Sequence, residues 1–338
     1  MKRLTGFMII AFFVFGVFVS FPCIASAQKV ISLNYSVFFP APHANTVLAE
    51  AWSREIEKRT DKKVKITVFP GGTLTPAAQT YDNVVKGIAD IGFSVFAYTM
   101  GKFPLMEVLD LPLGYKSGTQ ATKLVNAFYA KFQPKELNDT KVLILSGHGP
   151  GIIHTKKPVN KLEDLKGMKI RATGLAAKVV TALGGAPVGA TMPETYDALR
   201  TGVVDGSMAP IEALKGWKWG EVVNYTTYNY GSAYTTTMFV VMNKAKWNSL
   251  PQDVQKVFEE VSKEWIDKQG ATWDRIDKEG AEFAKAKGVK FINLSKEEDA
   301  KWAEKIKPLL TGYVTNAKAK GLPGDEALKF CVDFLKKN

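Results

Sequence analysis

The chain has 338 residues, 46% of them hydrophobic and 23% charged, which excludes an intrinsically disordered protein and leaves room for two lobes with cores of their own. Its net charge of +12 favours anionic ligands or surfaces. The lysines Lys178, Lys244, Lys246 and Lys256 are scattered singly and no basic run is interleaved with aromatics, so no nucleic-acid partner is expected.

Lys2 and Arg3 open the chain, residues 7–21 are apolar apart from Gly16 and Ser20, and Ala25-Ser26-Ala27 is a small-residue cleavage site. Residues 1–27 therefore read as a secretory signal peptide, with a mature start near Gln28. The apolar run is short of the roughly 20 residues that a membrane-spanning helix needs. Cleavage removes Lys2 and Arg3 and no acid, which lowers the net charge of +12 by two. Only Cys331 remains after cleavage, so an intramolecular disulfide is excluded and stability must come from the core.

In chain order, residues 29–37 alternate as a strand, and 44–59 carry Val47, Leu48, Trp52 and Ile56 at helical spacing. Val64, Ile66 and Val68 alternate as a second strand, which Pro70-Gly71-Gly72 ends. Residues 76–89 predict a helix with Tyr81, Val84, Val85 and Ile88 inward, and 91–96 a third strand. This β-α-β-α-β order predicts parallel strands and an α/β lobe, extended by a helix over 119–132 and a strand over 141–145. The glycine-rich segment 146–151 lacks the phosphate-loop pattern and reads as a crossing between lobes. Asn160 with Glu163 three residues on signals a helix start over 161–166. A short strand through Ile170-Arg171-Ala172 follows, then a helix over 175–183 and a strand over 186–190. Pro193 opens a helix that Gly202 closes, and Val203-Val204-Asp205 reads as a strand ending at Gly206. A strand over 234–242 returns toward the first lobe. Residues 251–288 are helix-compatible throughout, long enough to lie across both lobes, with Gly270 and Gly280 as sites of bending. A strand over 289–294, a helix capped by Ser295 with Trp302 and Ile306 buried, and a last helix over 324–337 complete the chain.

Catalytic machinery does not assemble. His43, His148 and His154 lack metal-ligand spacing, no nucleophile elbow or dinucleotide fingerprint appears, and the acidic pairs Glu163/Asp164 and Glu297/Glu298 read as solvated charge. No metal, cofactor or catalytic residue is expected. What remains is Arg171, delivered by a short strand to a turn before a helix N-terminus, a good place to hold an anion. A solvated arginine on an edge strand is the other reading of that octapeptide.

Three stretches carry a family resemblance: Val64-Lys65-Ile66-Thr67-Val68-Phe69-Pro70-Gly71-Gly72, Leu162-Glu163-Asp164-Leu165-Lys166-Gly167-Met168-Lys169-Ile170-Arg171, and Glu194-Thr195-Tyr196-Asp197-Ala198-Leu199-Arg200-Thr201-Gly202 running into Asp205-Gly206. Over essentially the whole mature chain, they resemble the extracytoplasmic substrate-binding proteins of TRAP transporters, of the DctP type. The resemblance implies an α/β, two-lobed periplasmic binding protein of the type II-like kind, with a long helix spanning both lobes. It implies a ligand-delivering partner of a permease made of a small and a large membrane subunit, without catalysis. The expected division is residues 28–148 plus about 236–275 for lobe I and 149–235 plus about 276–338 for lobe II. A monomer in the periplasm is expected.

In the family the arginine that falls on Arg171 pairs with the ligand carboxylate. Many sialic-acid and dicarboxylate members carry a second arginine twenty residues earlier, where this chain has Gly151, and an asparagine where it has Ala209. Losing that cation argues against a dianion and for a small organic anion, a monocarboxylate with an apolar or aromatic body or a sulfonate. A dicarboxylate binder and a secreted enzyme acting on an organic acid are the rivals. Arg171 is the expected anchor, with Phe39, His43, Phe93 and Ser94 completing the site from the first lobe. Tyr98, Glu194, Tyr196, Met208, Trp217 and Tyr234 are further candidates, each aromatic among them being cleft wall or lobe core.

Overall fold

The computed structural model describes residues 30–337, so the expected signal peptide lies outside the described residues. The first sheet takes strands β1 (Ile31–Val37), β2 (Val64–Phe69), β3 (Ile91–Val95), β4 (Thr140–Gly147) and β10 (Thr237–Asn243), in the order β2-β1-β3-β10-β4. β1 runs parallel to β2 and β3, as the alternation of strand and helix predicts, while β10 comes back antiparallel to both β3 and β4. Helices α1 (Ala44–Arg59), α2 (Thr80–Val85) and α3 (Gly118–Phe132) cover this sheet.

The second sheet has the order β11-β9-β5-β8-β6-β7, from β5 (Ile152–Thr155), β6 (Lys169–Arg171), β7 (Ala186–Val188), β8 (Gly206–Ala209), β9 (Tyr225–Tyr228) and β11 (Lys290–Asn293). Its helices are α4 (Leu175–Ala182), α5 (Met192–Thr201) and the single turn α6 (Ala213–Gly216). α5 starts as its sequence dictates: the Glu194 carboxylate accepts from the backbone N–H and hydroxyl of Thr191, Pro193 sits in the first turn, and Gly202 ends the helix at φ 80°.

The short α7 (Lys244–Ser249) leads from β10 into α8 (Gln252–Ala286), a helix of 35 residues that touches both halves. Gly270 and Gly280 are points of close approach in it. A Cβ on Gly270 would lie 2.9 Å from the Cα of Thr119 in α3, and one on Gly280 would lie 2.5 Å from the Ile211 carbonyl oxygen before α6. α9 (Lys296–Ala319) begins at Ser295, whose hydroxyl accepts from the Glu298 N–H, and α10 (Gly324–Lys337) ends the chain.

Several local expectations change. The helix expected over 76–89 stops at Val85 because Gly87 turns the chain at φ 76°, and Ile88 is exposed rather than inward. Val47 and Val203 also face solvent; the strand expected at 203–205 begins at Gly206 instead. Residues 161–166 shrink to one 3-10 turn, whose start is held by Asp164 rather than Glu163: its carboxylate accepts from the N–H groups of Asn160 and Lys161. The tail expected beside the second sheet packs on the first, where Phe330 meets Phe128 and Phe132 of α3 and Cys331 is buried as a free thiol.

Candidate functional site

Arg171 ends β6, between Val188 of β7 and Ser207 of β8, and only 3% of it is exposed. Its Nε donates to the Ala190 carbonyl at 2.8 Å and one terminal nitrogen lies 3.4 Å from the Met192 sulfur. Among the described residues no carboxylate comes within ion-pair distance of the guanidinium. A buried cation without a counter-ion is costly, so the arrangement is stable only where an anion or oriented dipoles face it.

That cation opens on a cavity of about 30 Å³ between the two sheets. Phe38, Phe39 and Tyr98 line it from the first sheet's loops. Arg171, Met192, Ala209, Glu212 and Trp217 line it from the second, His148 and Tyr234 from the crossings, and Trp273 from α8. The aromatic wall is continuous: Phe38 and Phe39 lie 4.0 Å apart between ring centres, Phe39 is 5.8 Å from Trp217 and 6.1 Å from Trp273. A second cavity, of about 220 Å³, lies between Leu175 and Tyr313; of its charged groups, Lys178 and Lys320 are exposed to solvent and Glu107 is half-buried.

Two bonds cross from one sheet's side to the other at the cavity. The Met192 N–H donates to the Tyr98 hydroxyl oxygen at 2.9 Å, which leaves the phenolic proton free to point elsewhere. His43 meets Glu212 at 3.0 Å with both groups buried. The His43 tautomer follows from its role as the cap of α1: Nδ1 accepts from the Asn45 N–H, so Nε2 carries the proton and donates to Glu212. His148 is settled in the same manner. Its Nε2 accepts from the Thr236 N–H, Nδ1–H donates to the Gly149 carbonyl, and burial pulls its pKa down to about 4, so it stays neutral. Burial pushes the Tyr98 phenol up, and the Arg171 charge beside it opposes that rise. The indole N–H groups of Trp217 and Trp273 are buried without an acceptor among the described residues.

Of the expected residues, Arg171, Phe39, Tyr98, Trp217 and Tyr234 meet at the cavity. The others do not line it. Phe93 packs beneath Phe39, at 5.2 Å between ring centres. The Ser94 hydroxyl is spent on the Ala77 carbonyl, and Met208, on β8, is buried in the core of the second half, its carbonyl accepting from the Tyr234 hydroxyl. Glu194 caps α5, and its carboxyl is held below the usual range by the two Thr191 donors first and the Arg171 field last. Tyr196 reaches outward to Glu221, and His43 lies behind the wall, touching the site through Glu212. Tyr234 explains Gly151: a Cβ there would lie 2.3 Å from the Tyr234 ring, so this ring fills the space an arginine at 151 would need. Sequence reasoning missed Glu212 and Trp273. Neither has a local motif; each arrives because α8 and the turn after β8 converge, with the Glu212 N–H donating to Asp277 at 2.9 Å.

Comparison with known proteins agrees with this architecture. Residues 38–316 match the model of the DctP family, described as bacterial extracellular solute-binding protein, family 7. A TRAP periplasmic solute-binding protein from Desulfovibrio salexigens, solved as an open complex, is 37% identical, with 91% of this chain and 96% of that one covered and a TM-score of 0.80. A marine-metagenome TRAP solute-binding protein specific for aromatic acids, solved with metahydroxyphenylacetate, is 30% identical over 91% and 99% of the two chains, with a TM-score of 0.86. A TRAP solute-binding protein from Rhodoferax ferrireducens with co-purified benzoate is 26% identical over 91% and 98%, also at a TM-score of 0.86.

Proposed function

The chain belongs to bacterial extracellular solute-binding protein family 7, and from that premise we propose that it captures an aromatic monocarboxylate on Arg171 and carries it unchanged to a TRAP permease. Capture of small organic anions for TRAP transport is the activity of this protein. The aromatic body of the ligand and the residues that hold it are our reading. The observation that carries it is a buried guanidinium without a counter-ion among the described residues, at the end of a cavity walled by Phe38, Phe39, Trp217 and Trp273. Tyr234, which occupies the room beside Gly151, supports one anionic group in the ligand rather than two. The relatives that hold benzoate and metahydroxyphenylacetate support the same ligand class.

The ligand carboxylate takes the free guanidinium N–H groups and the Tyr98 proton, and the ring lies against the aromatic wall. On this reading the chain matures near Gln28, acts as a monomer in the periplasm, performs no chemistry on its ligand, and docks on the small and large permease subunits. A charge-assisted hydrogen bond contributes about 1.5–3 kcal/mol, leaving a buried charge without its partner costs about 3–5 kcal/mol, and one decade of affinity is worth about 1.4 kcal/mol. Arg171→Ala is therefore expected to weaken benzoate binding at least ~100-fold by calorimetry while the far-ultraviolet spectrum stays that of the wild type. Wild-type affinity in this variant overturns the anchor. Chromatography after prolonged incubation is expected to return the acid unaltered; a product peak would make the protein an enzyme.

A further inference from the structure

The cavity carries a second polar set besides the Arg171 anchor. Glu212 lines it and is 2% exposed. Its position is held from three sides. One oxygen accepts the Nε2–H of His43, its backbone N–H is bound to Asp277, and a Cβ on Gly216 would sit 2.4 Å from that same oxygen, so only glycine leaves room for it. Among the described residues no further donor reaches the other carboxylate oxygen. Trp217 stands on the same wall, its ring centre 5.8 Å from that of His43; among the described residues neither its buried N–H nor that of Trp273 has an acceptor.

A carboxylate with an unused oxygen thus lines the same cavity as two indole donors that have no acceptor among the described residues. One small group satisfies both kinds, because it donates once and accepts as well: a hydroxyl. We infer that Glu212 and Trp217 make the site selective for a hydroxylated aromatic monoacid, whose hydroxyl donates to Glu212 and accepts from an indole N–H. This deepens the proposed capture of an aromatic monocarboxylate and rests on it. A bare ring leaves these groups unpaired, and a second carboxylate meets Glu212 as like charge in a water-poor place.

Calorimetric titration of benzoate, 3-hydroxybenzoate, 4-hydroxybenzoate and isophthalate into the wild-type protein tests it. The better of the two hydroxybenzoates is expected to bind at least ~10-fold tighter than benzoate, and isophthalate at least ~10-fold more weakly than benzoate. Glu212→Gln keeps the acceptor for His43 and turns an N–H₂ toward the cavity. It is expected to reduce the hydroxyl preference, taken as the ratio of hydroxybenzoate to benzoate affinity in the same variant, to under ~3-fold and to soften the isophthalate penalty. Trp217→Phe keeps a ring and loses the N–H, and is expected to narrow the hydroxyl preference as well. Benzoate and both hydroxybenzoates binding equally to the wild type, or an undiminished preference in Glu212→Gln, overturns the inference while Arg171-dependent benzoate binding stands. If none of the four acids binds, or binding ignores Arg171→Ala, the aromatic-acid reading fails and takes the inference with it.

Discussion

Asp110 and His148 show how single buried groups set the protein's response to acid. The Asp110 carboxylate accepts from the Thr237 N–H at 2.8 Å, and burial pushes its pKa up to about 7; Asp277 is raised to about 7 by burial too. Burial lowers His148 and His154 to about 4. From pH 6.5 down to 4, the unfolded chain takes up a proton at each histidine that the native state refuses, so the histidines cost stability as pH falls. Over almost the same range the native state holds a proton at each aspartate that the unfolded chain has released, so the aspartates add stability as pH falls and lose it as pH rises toward 7. The two pairs offset. Asp110→Asn removes one aspartate term, and the variant is expected to lose about 1.4 kcal/mol per pH unit relative to wild type between pH 6.5 and 4.5, measured by urea unfolding. Parallel curves for the two proteins would show that Asp110 is ionised in the native state throughout.

Among the elements, α8 decides how the halves meet. At ~1.5 Å per residue its 35 residues reach about 50 Å. Asp274 accepts from the N–H groups at the start of α3, and Asp277, one turn on, holds the Glu212 N–H of the second half. The glycines let neighbouring backbones come close. In an open helix, Gly→Ala gains about 0.5–1 kcal/mol through chain entropy, whereas overpacking a closed contact costs about 1–3 kcal/mol. A methyl on Gly280 would meet backbone atoms of Ile211 and Glu212, which have no rotamer to escape into; a methyl on Gly312 of α9 meets nothing within 4 Å. Gly280→Ala is thus expected to lower the melting temperature and Gly312→Ala to raise it, in the same thermal scan. A rise for both would mean that the α8 contact gives way freely.

At the scale of the molecule, the halves share a core. One hydrophobic cluster runs from Leu33, Ile91 and Trp52 on the first sheet's side through Phe258 and Trp273 of α8 to Leu199, Leu214 and Trp219 on the second. Shared burial makes unfolding cooperative, so near- and far-ultraviolet dichroism are expected to report one coincident transition. Two separated midpoints would mean that each half melts alone. The cavity, about 30 Å³, is smaller than the ~150 Å³ that accommodates benzene in an apolar protein interior, so a ring acid enters only as the walls part. The Tyr98–Met192 and His43–Glu212 bonds cross this cavity from the first half to the second, so parting its walls means breaking them.

Sequence by itself determined the elements whose signals act within a few residues: the parallel β1–β3 start, the capped and proline-led α5, the 35-residue α8, and Arg171 as the cation at a strand end. It misjudged Val85, Ile88 and Val203, whose apolar side chains fit the period but fall where a glycine turn or a late strand start leaves them in water. Only the tertiary structure decided the site. His43 and Glu212 are 169 residues apart, and Trp273 comes from a third element, so no local pattern could bring them to one wall. Helix period and caps are short-range; the cavity exists because sheet order and the crossing of α8 bring distant surfaces together, and that depends on packing of the whole chain.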